Sequence, residues 1–338
     1  MADETVKTPL LEVADIKKWF PLKTLPFSEK KYIKAVDGIS FTLHENETLG
    51  VVGESGCGKS TLGRTIMNLL PPSAGKVVFQ GKVIQELSPK ELREMRQQLQ
   101  IIFQDPYASL NPRFTVGEII GEPLAIQGKL TKKEQVQKVK EIMAKVGLNV
   151  NYINRYPHEF SGGQRQRIGI ARAIILEPSV IVCDEPVSAL DVSIQAQVIN
   201  LLKDLQAEMG LAYIFISHDL SVVRHVSDRV MVMYLGQVME MADKEDLYHR
   251  TLHPYTKALL SAVPVADRHV KKEKLMLKGD LPSPADPPSG CCFHTRCVFA
   301  QELCRTQTPE LTEYRKNHFC RCHFADKNEG EYHEDYKN

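Results

Sequence analysis

The feature that most constrains this chain is Gly53-Glu54-Ser55-Gly56-Cys57-Gly58-Lys59-Ser60-Thr61, which fits the pattern G-x4-G-K-S. That pattern works in one setting only, between a buried strand and a helix. There the glycines let backbone N–H groups wrap a phosphate, and the helix start adds partial positive charge. Both flanks comply. Thr48 to Val52 is an apolar run of strand length, and Leu62 to Leu70 has helical spacing up to Pro71-Pro72. In such a loop Lys59 reaches the β- and γ-phosphates and the Ser60 hydroxyl ligates Mg2+. Kinases, GTPases and transport ATPases share it, so it fixes a chemistry and leaves the class open.

Short apolar strands alternate with helices up to about residue 265. Val36 to Phe41, Gln100 to Phe103, Val180 to Cys183 and Leu211 to Ile216 read as strands. Ser88 and Thr131, each followed three residues later by a Glu, read as helix starts. The alternation predicts an α/β fold with a mainly parallel sheet. Between about residues 105 and 177 helices dominate, which predicts a helical subdomain inserted into a nucleotide-binding domain spanning 1–265. The proline-dense stretch 266–290 reads as a linker. A Cys-rich region, 291–325, and a frayed polar end, 326–338, follow it.

Charge and length narrow the class further. The 43 Lys and Arg against 42 Asp and Glu leave +1, which excludes a nucleic-acid binder held by bulk charge. No apolar run approaches the roughly 20 residues that span a bilayer. The start, Met1-Ala2-Asp3-Glu4-Thr5, lacks the apolar core of a secretory signal. The expectation is a cytoplasmic chain that borrows the helices of others if it works at a membrane.

Val180-Ile181-Val182-Cys183-Asp184-Glu185 supplies a second half of the site. A buried strand delivers carboxylates to its C-terminal end, where ligands bind in open α/β sheets. Asp184 would hold Mg2+ and Glu185 would polarise the attacking water. Adjacent acids after a strand also serve as ordinary caps, and it is the phosphate loop that favours the catalytic reading. Phe160-Ser161-Gly162-Gly163-Gln164 then opens another helix with a glycine-rich start, a second anion cradle. One ATP does not need two cradles on one chain. The economical explanation is a head-to-tail dimer in which this cradle caps a nucleotide held by the partner; the bland one is a plain N-cap.

These motifs occur with Gln104 after a strand, Ser188-Ala189-Leu190-Asp191, and His218 at 33 residues beyond Glu185. In that order they resemble the ATP-binding-cassette ATPases, whose fold is a RecA-like P-loop core with an inserted helical subdomain. Phe160 departs from the usual Leu of the signature but stays apolar. The resemblance implies that Gln104 senses Mg2+ and the attacking water, that His218 contacts the γ-phosphate, and that Asp191 crosses the dimer interface. It also implies an aromatic ring stacked on adenine, for which Tyr32 is the candidate and Phe27 the runner-up; a packed aromatic without nucleotide contact is the alternative.

Phe103-Gln104-Asp105-Pro106-Tyr107, Ile153 to Phe160 and His253-Pro254-Tyr255-Thr256 narrow the resemblance to the ATPases of oligopeptide/dipeptide importers. Within that group the likeness is greatest to the second ATPase subunit, the one paired with a different ATPase. The resemblance therefore implies a sister ABC ATPase in a heterodimer, two transmembrane permease subunits, an extracytoplasmic peptide-binding protein, and a place on the inner face of the cell membrane. Dipeptide or nickel importers, and a soluble non-transport ATPase, are the alternatives.

Six of the eight cysteines crowd the tail. In a reducing compartment they favour a metal or cluster over disulfides. Cys291, Cys297, Cys304 and Cys322 lack the C-x2-C spacing of zinc ribbons. By resemblance these four are the ligands of a [4Fe–4S] cluster, with zinc as runner-up. Cys292 and Cys320 leave the register open.

Overall fold

The computed structural model describes residues 8–22, 30–263, 275, 277 and 279–330. Phe27, most of the expected linker between 266 and 278, and the end of the chain from 331 lie outside the described residues. The chain begins with β1 Leu11–Pro21, β2 Tyr32–Leu43, β3 Thr48–Val52, α1 Lys59–Ile66, β4 Ala74–Phe79, β5 Lys82–Val83 and α2 Pro89–Gln98. It continues with β6 Leu99–Ile102, α3 Pro106–Ser109, α4 Val116–Gln127, α5 Lys132–Lys145, α6 Gly162–Ile174, β7 Val180–Asp184, α7 Val192–Met209 and β8 Ala212–Ile216. The last elements are α8 Leu220–Val226, β9 Arg229–Tyr234, β10 Gln237–Asp243, α9 Lys244–His249, α10 Pro254–Ser261, α11 Glu302–Thr306, β11 Thr312–Arg315 and β12 His318–Cys320.

These elements form two compact units. A helical unit holds Leu43–Glu47 and Glu86–Ile216; a loop unit holds Leu10–Thr42, Thr48–Gln85 and the described residues from Ser217 onward. In the helical unit β6, β7 and β8 pair in parallel, with Leu99 opposite Val180 and Val180 opposite Ala212. Every residue of β7 and β8 is buried, as expected of strands covered on both faces. No strand lies between β6 and β7 among the described residues, so α3 to α6 make up the expected helical stretch. Four helices open on a capping box: Ser88 with Glu91, Thr115 with Glu118, Thr131 with Glu134, and Ser161 with Gln164.

The loop unit departs from the expected parallel sheet. Here β3 runs parallel to β9, but β10 is antiparallel to β9 and to β12, and β11 is antiparallel to β12. A separate sheet has the order β2-β1-β4-β5, with β1 antiparallel to β4. The turn between β9 and β10 is Leu235-Gly236, with φ of 44° and 76°. Positive φ at both positions suits the twist of a hairpin, yet Leu is not the usual residue there, so the sequence hides the turn. Gly236 is required, because a Cβ would stand 2.5 Å from the Lys34 carbonyl oxygen. α1 also stops at Ile66, short of the predicted Leu70, as Asn68 turns to a φ of 51°.

The Cys-rich tail joins this same unit instead of standing apart as a small domain. β12 completes the edge of β10, and Phe293 packs between Tyr234 and Tyr255 with ring centroids 5.3 Å from each. Glu240 of β10, fully buried, fixes the join. Its carboxylate accepts from the Leu252 N–H at 2.7 Å and the His253 N–H at 3.0 Å, and meets His318 Nε2 at 2.8 Å. A lone buried carboxylate would be costly; these partners compensate it.

Candidate functional site

Two glycines set the phosphate loop. Gly53 has φ 153°, and a Cβ there would stand 2.2 Å from the Met233 carbonyl oxygen. Gly58, with φ 107°, would place a Cβ 1.9 Å from that of Ala35. Only glycine lets the chain turn out of β3 and into α1 against these neighbours. Ser55 and Gly56 are exposed at the tip, and Ser60 and Thr61 are half-buried in the first turn of α1. Lys59 is buried, and its Nζ donates to the carbonyl oxygens of Gly53 at 2.8 Å and Glu54 at 3.0 Å. The ammonium thus closes the loop on itself, at a place where phosphate oxygens could take over as acceptors. Burial raises the Cys57 thiol pKa, so it packs beneath the loop as a neutral group.

His218 belongs to the same unit and is exposed; Ser217 N–H donates to Val51 at 3.1 Å, anchoring its segment to β3. Tyr32 opens β2 with 38 % of its surface exposed. Trp19, which the sequence did not single out, lies 6.2 Å from it between ring centroids and donates from Nε1 to Asp37 at 3.0 Å.

The helical unit brings together the residues read as catalytic there. Asp184 ends β7 and is buried. Glu185 follows with φ 48°, a strained value for a non-glycine residue. Its N–H donates to Ile216 at 3.0 Å and its carbonyl accepts from the Ser188 hydroxyl at 3.1 Å, holding that backbone in place. Gln104 Nε2 donates to Glu185 Oε2 at 2.9 Å. The two residues, 81 apart in sequence, therefore meet in one hydrogen bond.

Ser161 caps α6 and is exposed; its Oγ accepts from Gln164 N–H at 3.4 Å, and Gln164 Oε1 accepts from Ser161 N–H at 3.0 Å. Gly162 is half-buried, and a Cβ on Gly163 would stand 2.5 Å from Ile194, which explains the second glycine. The other three capping boxes close on glutamates; this one closes on a neutral amide. A helix start that must accept an anion is better without a carboxylate on it. Asp191 caps α7, is exposed and makes no side-chain cap bond.

The loop also has partners that sequence reasoning missed. Glu54 N–H donates to the Tyr255 hydroxyl at 3.0 Å, and Arg296 Nη1 donates to the two Glu54 carboxylate oxygens at 3.0 and 2.9 Å. Both lie more than 200 residues away, where no local pattern could mark them.

In the tail Cys291, Cys297, Cys304 and Cys322 line one cavity of about 20 Å3, together with His253, His294 and His323. Cys292 and Cys320 do not line it. Cys292 Sγ lies 4.0 Å from Met239 Sδ, and Cys320 packs with Leu252 and Ala325. Burial, then the neighbouring thiols, raise Cys297 to about 12 and Cys322 to about 11, and burial raises Cys291 too. Among the described residues no three His, Cys, Asp or Glu side chains stand close enough to hold a metal ion, so neither the cluster nor the zinc alternative finds a formed site.

Comparison with known proteins follows the same lines. Residues 36–188 match the family of ABC transporters, and 239–304 match the oligopeptide/dipeptide transporter C-terminal region. The chain is 57 % identical over 318 residues to the oligopeptide transport ATP-binding protein AppF of Bacillus subtilis, covering 93 % of this chain and 97 % of that protein. It is 57 % identical to OppF of Haemophilus influenzae, covering 94 % and 97 %. Among solved structures it is similar to cbiO1 of Clostridium perfringens, part of an ABC transporter complex, at 28 % identity and a TM-score of 0.61 over 71 % of this chain and 90 % of that one. It is equally similar to the dimeric ATP-binding cassette MJ0796 bound to ADP and Pi, at 28 % identity and TM-score 0.61 over 69 % and 98 %. With the α/β cassette fold, the phosphate loop and the oligopeptide/dipeptide C-terminal region in one chain, this protein belongs to the ABC transporter ATPases of the oligopeptide/dipeptide group.

Proposed function

We propose that this chain is the ATP-hydrolysing subunit of an importer that takes up oligopeptides. The observation that supports the reading is the Gln104–Glu185 hydrogen bond at the end of β7, which restrains a carboxylate that could accept a proton from water. The loop N–H groups and Lys59 bind the triphosphate. The oxygen donors of Ser60, Gln104 and Asp184 suit Mg2+, a hard cation that neutralises charge on the phosphates. Glu185 draws the proton of the attacking water, and His218 donates toward the γ-phosphate. Tyr32 offers its ring to adenine. The exposed start of α6 and Asp191 act in trans on a nucleotide of the partner cassette; the dimeric relative bound to ADP and Pi supports such an arrangement.

No helix among the described residues is long and apolar enough to cross a membrane. Likeness to the oligopeptide transport ATP-binding proteins supports a chain that works peripherally on the inner face, with two permease subunits, a peptide-binding protein and a sister ATPase as its heterodimer partner. A domain of 1–265 does the nucleotide work, with the helical part, about 105–177, transmitting closure to the permease.

In this reading Cys291, Cys297, Cys304 and Cys322, which line one cavity, would close around a [4Fe–4S] cluster as its ligands. Such a group supplies four bonds that tie the tail to itself. Iron and labile sulfide assays should find the cluster in anaerobically purified protein, with Cys297→Ser losing it and Cys292→Ser keeping it.

Glu185→Gln tests the central reading. It should bind ATP, trap a closed dimer and lower turnover by roughly a hundredfold or more. Undiminished steady-state hydrolysis would refute the role of Glu185.

A further inference from the structure

We propose that Arg296 is a positioning residue for the nucleotide: from the Cys-rich tail it turns the Glu54 carboxylate away and keeps the phosphate loop receptive to an anion. The proposal rests on the reading of this loop as an ATP site. Glu54 is the one acidic residue between Gly53 and Thr61. A carboxylate on a loop meant for a triphosphate is electrostatically adverse unless something neutralises it.

Arg296 does so. Its Nη1 donates to both carboxylate oxygens at 3.0 and 2.9 Å, with the Arg296 side chain only 9 % exposed and that of Glu54 25 %. At that burial the pair is little screened, and loss of the cation would leave a half-buried carboxylate without its partner. The backbone of Glu54 is fixed as well. Its N–H is taken by Tyr255, and its carbonyl oxygen by Lys59. The loop's first variable residue is thus held at N–H, at C=O and at its side chain by three different elements.

Arg296 is itself held firmly. Its N–H donates to Phe293 at 3.0 Å, and Phe293 is buried against Tyr234 and Tyr255. The tail turn carrying Arg296 is therefore anchored in the same aromatic cluster that supplies the Tyr255 hydroxyl to the loop. Arg296 touches no reacting atom by this account. It acts through Glu54.

The test measures fluorescent-ATP binding to the full chain, and ATP hydrolysis by the assembled transporter. Arg296→Ala should raise the ATP Kd and KM roughly tenfold while kcat changes less than about threefold, because binding and not chemistry is disturbed. Arg296→Lys should recover part of the loss. Adding Glu54→Gln to Arg296→Ala should restore most of the affinity, since no charge then needs neutralising, while both variants keep similar melting temperatures. Should Arg296→Ala fail to fold, Arg296→Gln keeps most of the bulk and removes the charge. An unchanged Kd in the charge-removing variant, or a double variant no better than the single, would overturn the proposal. A wild-type chain that binds no ATP would instead overturn the reading of the loop, and this proposal with it.

Discussion

Among the described glycines, Gly58 leaves the least room for a side chain. Its φ is 107°, and any side chain would begin with a Cβ only 1.9 Å from the Ala35 carbonyl oxygen. Gly58→Ala should therefore cost about 2–4 kcal/mol and abolish nucleotide binding, as read by chemical denaturation and fluorescent-ATP titration. His253 carries a pH prediction. Burial lowers its pKa from 6.5 to about 4, against the opposing pull of Glu240. The unfolded chain then binds the extra proton between about pH 6.5 and 4, so stability is full above that window and falls as pH falls through it. The shift bounds the loss at about 3 kcal/mol. His253→Asn, which can still cap α10, should flatten that slope in melting temperatures measured from pH 7 to 4. At this scale legibility follows sequence distance. The phosphate loop is legible because its residues are contiguous and their chemistry demands those types. Arg296 and Tyr255 are not, because their partner Glu54 is 242 and 201 residues away.

Among the helices, the four capping boxes separate structural from functional starts. Thr131 and Ser161 cap with the same geometry, so Thr131→Ala and Ser161→Ala should each cost about 1 kcal/mol. Only Ser161→Ala should also depress ATP hydrolysis in the assembled transporter. Gln164→Glu is the sharper variant. A glutamate there would close the box as Glu134 does for α5 and keep the melting temperature, yet it would set a negative charge at the proposed docking place of the partner's nucleotide. Hydrolysis should fall roughly tenfold or more, in line with the loss of one charge-assisted contact. The S-G-G-Q start and the buried strands β7 and β8 were legible as elements, since apolar runs and cap residues are local signals. β1, β4, β9 and β10 were not. β1 loses its alternation after buried Leu11 and Val13, where the register shifts between Ala14 and Lys17 and Asp15 takes a φ of 46°, and the β9–β10 turn lacks an Asn-Gly pair.

Across the whole molecule, the tail is the part that reading from sequence misplaced. Prolines and cysteines suggested a separate appendage, whereas β12 pairs with β10 and Glu240 ties Leu252, His253 and His318 to one carboxylate. Edge pairing leaves no trace in composition, because the hydrogen bonds come from backbone. Glu240→Ala would strand two buried N–H donors and an imidazole. It should cost about 3–5 kcal/mol and make the tail the first segment to exchange its amide hydrogens.

The Glu54–Arg296 pair spans 242 residues, and this imposes an order on the birth of the protein. At about 5–20 residues per second of synthesis, Glu54 is joined to the chain roughly 12–50 s before its cation exists. A chain cut short anywhere in between would carry its loop unclamped, so by the proposal above only copies that extend past Arg296 would reach full affinity for nucleotide.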